Sequence, residues 1–280
     1  MRCVTSKEIS DAVRELFIKA NHELPSDTAV LVSNAAENET DPLAKNVLCR
    51  ICENVRVARQ MDIPICQDTG MAVVFADIGQ DLHIEGSFEN AVNDGVARAY
   101  TDGSLRMSVV KDPLYNRKNT ENNTPAIIYT RLVEGDKITL RVAPKGFGSE
   151  NMSAIKMFNP SACEQDIIDF VVDTVKRADA SPCPPIILGV GIGGTFDYAP
   201  VLAKKALLRS VGERNSDPDY AALEQKILDA VNALRIGPQG FGGDTTALSV
   251  NVEKYPTHIA GLPVAVNINC HVARHAETVI

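Results

Sequence analysis

The sequence feature that most constrains the fold is a repeated local pattern, in which short apolar runs end in polar, glycine-rich segments. Four such segments occur, at residues 65–70, 144–151, 189–195 and 237–246. Glycine lets a backbone approach a ligand closely, while Asp, Asn, Ser and Lys side chains supply polar contacts. Four of them in one chain indicate a ligand site that folding assembles from distant segments.

Helical and strand-like patterns alternate between these segments. Apolar spacing predicts helices at 6–20, behind a Ser or Thr cap, and at 42–61, 88–100, 163–177, 199–211 and 220–234. Strand-like runs occur at 71–78, 185–190, 246–252 and 263–269, with a β-hairpin at 125–142 and a surface loop at 111–125. We therefore predict an α/β fold of the mixed α+β kind, with a helical N-terminal region followed by mixed sheets covered by helices. No interior linker is evident, so residues 1–280 are expected to form a single domain.

Composition excludes several classes of protein. Of the 280 residues, 45% are hydrophobic, and no apolar run approaches the ~20 residues that a membrane-spanning helix needs. The net charge is −8 without a block of Lys or Arg, and only 5% of residues are aromatic, with no Trp. These features argue against nucleic acid or an anionic membrane as the partner. The N-terminus carries no secretory signal, so a cytoplasmic location is expected.

The sequence contains seven cysteines, an odd number in a chain without an export signal, so disulfides are not expected. Three of them, Cys66, Cys183 and Cys270, fall in loops beside glycine-rich segments, which suggests a metal or cluster site. The other four are interpreted as packing residues or bystanders: Cys3, Cys49, Cys52 and Cys163. The C-x-x-C pair among them lies inside a predicted helix, which favours buried packing over redox or zinc chemistry.

Two further sites stay open on the residues alone. Residues 189–194 fit G-x-G-x-x-G between a strand and a helix, with Glu213 about 20 residues on, as in a dinucleotide site. Against this, Glu213 lies in a turn-rich stretch, and a tight strand-to-helix turn, or a helix N-terminus that binds a different anion, is the favoured explanation of the glycines. A zinc site formed by Cys270, His271 and His275 is the second open interpretation.

Five motifs, in order along the chain, resemble those of the iron–sulfur hydro-lyases of the class I fumarate hydratase and L-tartrate dehydratase family. They are Ile65-Cys-Gln-Asp-Thr-Gly70, Lys145-Gly-Phe-Gly-Ser-Glu-Asn151, the segment from Pro182-Cys-Pro-Pro to Gly194-Thr195, Gln239-Gly-Phe-Gly-Gly-Asp-Thr-Thr-Ala247 and Asn269-Cys-His-Val-Ala-Arg-His275. The likeness runs through almost the whole chain. It corresponds to the α subunit, or to the N-terminal half of single-chain members.

The resemblance implies a [4Fe-4S] cluster held by Cys66, Cys183 and Cys270, with one iron not ligated by cysteine. On this resemblance, that iron would be open and would act as a Lewis acid toward a substrate carboxylate and hydroxyl. The resemblance assigns proton transfer to Asp68 and an active-site role to His258. It also matches substrate-binding positions to Gln67, Asp68, Arg106, Gly148 and Asn151.

The implied reaction is the reversible hydration or dehydration of a small dicarboxylate, with fumarate and (S)-malate expected first and tartrate or a mesaconate-type compound as the alternative. The family's active site also draws residues from a second domain whose motifs are missing here. The resemblance therefore implies a separate β subunit and an α2β2 assembly. Two other classes stay open, an NAD(P)-binding oxidoreductase and a non-catalytic cluster-binding assembly subunit.

Overall fold

The computed structural model describes residues 2–280, in which helices and strands are mixed as predicted. The helices are α1 (Ser6–His22), α2 (Ser26–Asn38), α3 (Pro42–Met61), α4 (Phe88–Asp102), α5 (Phe147–Glu150), α6 (Glu164–Ala178), α7 (Tyr198–Ala206) and α8 (Pro218–Asn232). The strands are β1 (Arg2–Thr5), β2 (Met71–Gly79), β3 (Leu82–Glu85), β4 (Ile127–Val133), β5 (Ile138–Lys145), β6 (Ala154–Phe158), β7 (Ile186–Gly193), β8 (Ala247–Tyr255), β9 (Leu262–Asn269) and β10 (Ala276–Val279). The mixed α/β class is confirmed. Within the described residues, no helix combines the length and apolar character needed to cross a membrane.

Contacts divide the described residues into two compact units. Unit 1 contains the chain up to Pro25, Val55–Phe147 and Arg274–Ile280, and unit 2 contains Ser26–Asn54 and Gly148–Ala273. Neither unit is a contiguous segment, because the chain passes from one to the other four times. The single domain expected from the sequence stays a prediction.

Unit 1 is built on a sheet with the strand order β10-β5-β2-β4. Helix α1 is capped by Thr5, whose hydroxyl accepts the Glu8 N–H at 3.2 Å while the Glu8 carboxylate accepts the Thr5 N–H at 2.7 Å. This reciprocal capping confirms the predicted helix start. Apolar side chains of α1 and α4 pack against β2 and β5 in one buried core that includes Phe17, Val96 and Leu140.

The predicted hairpin at 125–142 is wrong, although both of its strands exist. Strand β2 lies between β4 and β5, so that Val74 faces Ile128 in a parallel pair and Val142 in an antiparallel one. The connection from β4 to β5 crosses the end of β2, where a Cβ on Gly79 would lie 2.3 Å from the Gly135 carbonyl oxygen. The close crossing is possible because Gly79 has no side chain. Local alternation predicts strands but does not say which strand is the neighbour.

Unit 2 is built on a sheet with the order β6-β9-β7-β8, in which only β7 and β8 are parallel. Even-numbered residues of β7, such as Leu188 and Val190, join α6 and α8 in the larger core. Odd-numbered residues face α7, because successive side chains of a strand point to opposite faces. The sheet is therefore covered by helices on both faces.

Helix α2 was not predicted as a separate element, and α7 is shorter than predicted. Only Thr28, Val32 and Ala36 of α2 are buried, a narrow stripe that gives a weak helical signal. Asp27 at its start accepts hydrogen bonds from the Ser210 hydroxyl at 2.7 Å and the Val211 N–H at 3.0 Å. The predicted helix at 199–211 ends at Ala206, and the Val211 N–H is held by the Asp27 side chain instead of a helical carbonyl.

Candidate functional site

The loop at 66–70 in unit 1 carries three of the predicted site residues, between α3 and β2. Cys66 and Asp68 are half-buried and Gln67 is exposed. The Asp68 carboxylate accepts the Gly70 N–H at 3.0 Å on Oδ1 and the Phe147 N–H at 2.9 Å on Oδ2. Asp68 is therefore fixed in orientation by two backbone donors, one from its own loop and one from the 144–147 segment.

Two buried polar side chains, Tyr100 and Asn123, hold this loop by hydrogen bonds to its backbone. The Tyr100 hydroxyl donates to the Thr69 carbonyl at 2.7 Å, and Asn123 donates to the Gly70 carbonyl at 3.1 Å. Burial raises the pKa of Tyr100, while the nearby Arg274 charge opposes this shift, so the phenol stays protonated as a donor. The loop backbone is therefore held by hydrogen bonds at two successive carbonyls, those of Thr69 and Gly70.

Arg106 is tied to the same loop through its backbone. Thr69 Oγ1 donates to the Arg106 carbonyl at 3.0 Å, while the Arg106 side chain is exposed. The Asn123 side-chain oxygen accepts the N–H groups of Ser108 at 2.7 Å and Val109 at 3.2 Å just beyond it. Unit 1 therefore brings Cys66, Gln67, Asp68 and Arg106 together.

Unit 2 brings Cys183 and Cys270 to the same end of its sheet. Cys183 shortly precedes β7 and Cys270 directly follows β9, and these antiparallel strands pair Ile187 with Asn269 at that end. His271 Nδ1 donates to the Cys183 carbonyl at 3.0 Å. The backbone N–H and side-chain amide of Gln239 both donate to the Pro184 carbonyl, at 2.8 and 2.7 Å.

Two residues in these loops have strained backbone dihedral angles. Such angles persist only where contacts with neighbouring residues impose them. Cys183 has φ +56° and Gln239 has φ +55°, in the left-handed region that non-glycine residues rarely occupy. Such residues concentrate at functional sites. The contacts of His271 and Gln239 described above supply the enforcement.

Gly148 and Asn151 lie in unit 2 and are both exposed. A Cβ on Gly148 would lie 3.7 Å from the Ser181 carbonyl oxygen, so Gly148 borders the loop that holds Cys183. Between them, Glu150 forms an ion pair with Lys204 and accepts the Asn267 amide at 2.8 Å. Both Gly148 and Asn151 are thus placed on a segment anchored to the sheet near Cys270.

His258 is placed away from the two cysteines of its unit. It is exposed in the turn between β8 and β9, where its Nδ1 accepts the Ala260 N–H at 3.1 Å. Strand β9 has 8 residues and separates this turn from Cys270, a span of roughly 25 Å at about 3.3 Å per residue. Within one chain, unit 2 does not bring His258 to Cys183 and Cys270.

The dinucleotide interpretation of residues 189–194 gains no support. A Cβ on Gly189 would lie 2.1 Å from the Ala203 carbonyl oxygen, and one on Gly191 would lie 2.2 Å from that of Ala199. These glycines let α7 pack directly on β7, so packing explains them without a phosphate. The surrounding sheet is mixed, whereas dinucleotide sites of this kind lie on mostly parallel sheets.

Cys49 differs from the expectation of buried packing, and the open zinc interpretation gains no support. Cys49 is exposed on α3, because the buried stripe of that helix runs through Leu48 and Ile51 instead. The prediction that this thiol is buried was therefore wrong. Burial and the neighbouring Cys49 raise the pKa of the half-buried Cys52 thiol, which therefore stays protonated. Among residues 2–280, no three His, Cys, Asp or Glu side chains converge as a single metal ion requires, so the zinc interpretation is not supported.

A buried acid that the sequence analysis did not single out explains how the fourth glycine-rich loop is held in place. Glu39, 4% exposed, accepts the Asp244 N–H at 2.9 Å on Oε1 and the Thr245 N–H at 3.2 Å on Oε2. Thr246 accepts the Gly237 N–H at 3.1 Å. The amides of this loop are thus occupied by the chain's own carboxylate, a pairing over 200 residues apart that no local signal reveals.

Comparison with known proteins gives consistent matches over nearly the whole chain. A family model described as "Fumarate hydratase (Fumerase)" matches residues 10–279. A "Putative L(+)-tartrate dehydratase subunit alpha" of Methanocaldococcus jannaschii is 42% identical over 276 residues, with 96% of this chain and 96% of that protein covered. An "L(+)-tartrate dehydratase subunit alpha" of Escherichia coli O157:H7 is 26% identical over 275 residues, with 98% of this chain and 91% of that protein covered.

Proposed function

We propose, from the premise that this chain belongs to the fumarate hydratase family, that it is the α subunit of a hydro-lyase acting on a small dicarboxylate. The observation that carries the proposal is the Asp68 carboxylate, which two backbone N–H groups hold two residues after Cys66. Fumarate and (S)-malate are the first proposed substrate pair. Tartrate is the second, because both relatives described above are named tartrate dehydratase subunits.

The donor set fits a [4Fe-4S] cluster with one iron not ligated by cysteine. Cys66, Cys183 and Cys270 lie in loops, are at least partly exposed and form no disulfide. Thiolates are the ligands that iron–sulfur clusters prefer. These three cysteines would hold the cluster, which when bound supplies an open iron as a Lewis acid.

Asp68 is the proposed proton-transfer group. Dehydration requires a base for the proton on the carbon next to a carboxylate. The N–H groups of Gly70 and Phe147 take one acceptor position on each Asp68 oxygen, and a carboxylate has further lone pairs on both. Asp68 therefore accepts a proton without having to reorient.

Gln67, Arg106, Gly148 and Asn151 are the proposed substrate contacts, and all four are exposed. A guanidinium holds a carboxylate through two parallel hydrogen bonds, which suits Arg106 for one end of a dicarboxylate. The Thr69 hydroxyl fixes its backbone beside Asp68 and leaves the side chain to bind. Gln67 and Asn151 supply amide donors, and Gly148 gives room for close approach.

His258 requires a second copy of the chain if it acts in this reaction, since its own unit holds it at the far end of β9. Large apolar side chains are exposed around it: Phe196, Tyr255 and Ile259 are 64%, 52% and 90% exposed. Large exposed apolar side chains on neighbouring segments are typical of a protein interface. We propose that this surface carries His258 into the active site of another α chain.

A separate β subunit is the proposed partner, because the relatives are named as α subunits. The test is anaerobic co-expression with the candidate β subunit, followed by assay of fumarate, (S)-malate, tartrate and mesaconate. Conversion of one of them supports the hydro-lyase and names the substrate. A complex that holds the cluster but converts no dicarboxylate would favour the non-catalytic assembly subunit instead.

A further inference from the structure

Arg274 is an almost fully buried arginine in unit 1, only 3% exposed, that holds two backbone carbonyls. Its Nη2 donates to the Asp68 carbonyl, and its Nε donates to the Pro144 carbonyl at 3.4 Å. These carbonyls belong to the two segments that meet at the Asp68 carboxylate. One side chain therefore links the loop that carries Asp68 to the segment that supplies its Phe147 donor.

Packing alone does not account for an arginine at this position. Its third nitrogen, Nη1, is buried without a hydrogen-bond partner. A buried, unpaired cationic donor is unfavourable, and an apolar side chain would fill the same space without that penalty. The two carbonyls that the guanidinium holds are the contacts that favour an arginine over an apolar side chain here.

The immediate surroundings leave little freedom in how these groups meet. A Cβ on Gly146 would lie 3.1 Å from Asp68 Oδ2 and 3.9 Å from Arg274 Nη2. Glycine at 146 thus lets the carboxylate and the guanidinium approach the 144–147 segment from two sides. The loop is held by Arg274 in addition to Tyr100 and Asn123.

We propose that Arg274 is a positioning residue, which fixes the main chain of Asp68 so that its carboxylate keeps the orientation needed for proton transfer. This proposal rests on the proposed hydro-lyase function, which gives Asp68 its role in proton transfer. It adds Arg274, to which that function assigns no role. In this role Arg274 acts on the loop and touches no substrate. Its removal should therefore slow turnover more than it weakens substrate binding.

The test compares Arg274→Ala and Arg274→Lys in the anaerobic complex with the β subunit, using Arg141→Ala as the matched control. Arg141 is another arginine of unit 1, paired with Asp77 and Glu277 away from the loop. Arg274→Ala should lower kcat about 100-fold with KM changed less than about threefold, since a small misplacement costs about that much. Backbone amide exchange at Gly70 and Phe147 should become about tenfold faster. Added guanidinium should restore part of kcat, and Arg141→Ala should change none of these values.

Three outcomes decide the matter. Wild-type exchange rates at Gly70 and Phe147 in Arg274→Ala would overturn the positioning role, as would a raised KM with unchanged kcat. If the alanine variant does not fold, Arg274→Lys answers the same question, because it keeps the charge but not the hold on two carbonyls. Faster exchange in a complex whose wild-type form converts no dicarboxylate would overturn the proposed function and still support the hold of Arg274 on the loop.

Discussion

His258 and Cys270 lie at opposite ends of strand β9, and an extended strand of 8 residues keeps them apart in every copy of the chain. If both serve one active site, the two must come from different chains. Co-expression of a His258→Ala chain with a Cys270→Ser chain should then restore activity, up to about half of wild type in a mixed dimer. Each variant alone should be inactive. Absence of restored activity in isolated mixed dimers would show that His258 does not act across chains.

Serine at Cys66, Cys183 or Cys270 should abolish the cluster, because serine is a poor ligand for iron–sulfur clusters. We expect loss of bound iron, sulfide and visible absorbance in each variant, measured anaerobically. Cys49→Ser is the control, since Cys49 is exposed on α3 and belongs to none of the loops. Wild-type iron content in any of the three variants would remove that cysteine from the ligand set.

Gly191→Ala should destabilise the protein severely, because its Cβ would lie 2.2 Å from the Ala199 carbonyl oxygen and α7 would have to move. We expect a loss of at least about 2–3 kcal/mol in the free energy of unfolding, measured in urea. Gly212→Ala is the matched control, with its nearest neighbour at 4.0 Å. Normal stability of Gly191→Ala combined with tight NAD(P) binding by the wild type would revive the dinucleotide interpretation.

The glycines at 189–194 show what the sequence could predict and what it could not. The motif at 189–194 correctly predicted a strand, a tight turn and a helix, because those follow from local periodicity and glycine. It could not tell a helix packed against the glycines from a phosphate bound there, since both require the missing Cβ. The prediction that β4 and β5 pair with each other was wrong for a related reason. The strand that lies between them, β2, comes from residues 71–79, and a local pattern at 125–142 contains no information about it.

Site residues divide in the same way. The loops of Cys66, Cys183 and Cys270 were marked by composition, whereas their supports were not. Tyr100, Asn123 and Arg274 lie 30 or more residues from the loop that they hold, so no spacing pattern includes them. Only the folded backbone shows that Asp68 is held from several directions.

Glu39→Ala should unfold more easily, because the Asp244 and Thr245 N–H groups would lose their buried acceptor. A decrease of about 1–3 kcal/mol in the free energy of unfolding is expected. Glu37→Ala tests for a general effect of removing an acid, since Glu37 is exposed on the same stretch of chain. Equal stability of the two variants would contradict a structural role for Glu39.

Asp77 gives a pH-dependent contribution to stability. Burial raises the pKa of its carboxyl, but hydrogen bonds from Arg141 at 2.9 Å and Arg131 at 2.8 Å outweigh this and lower it overall. A lowered pKa means that the ionised form stabilises the fold above the ordinary value near 3.9, and that this contribution is lost as the pH falls through the folded-state pKa. Asp77→Asn should therefore be less stable by about 1–2 kcal/mol at pH 7.

The measurement is urea unfolding of the isolated chain as a function of pH. The difference between wild type and Asp77→Asn should shrink as the wild-type carboxyl becomes protonated, and disappear in strong acid. A difference that stays constant with pH would mean that the charge of Asp77 is not what stabilises the sheet.

The four passages of the chain between its two units also affect how such a protein can change over time. Exchange of a whole module by recombination needs one or two junctions when that module is a continuous stretch of gene. Here, replacing one unit while keeping the other would need a junction at every passage, including one inside helix α3 at Asn54–Val55. The units are therefore expected to be inherited together, so that the proposed site residues of the two units diverge as a pair.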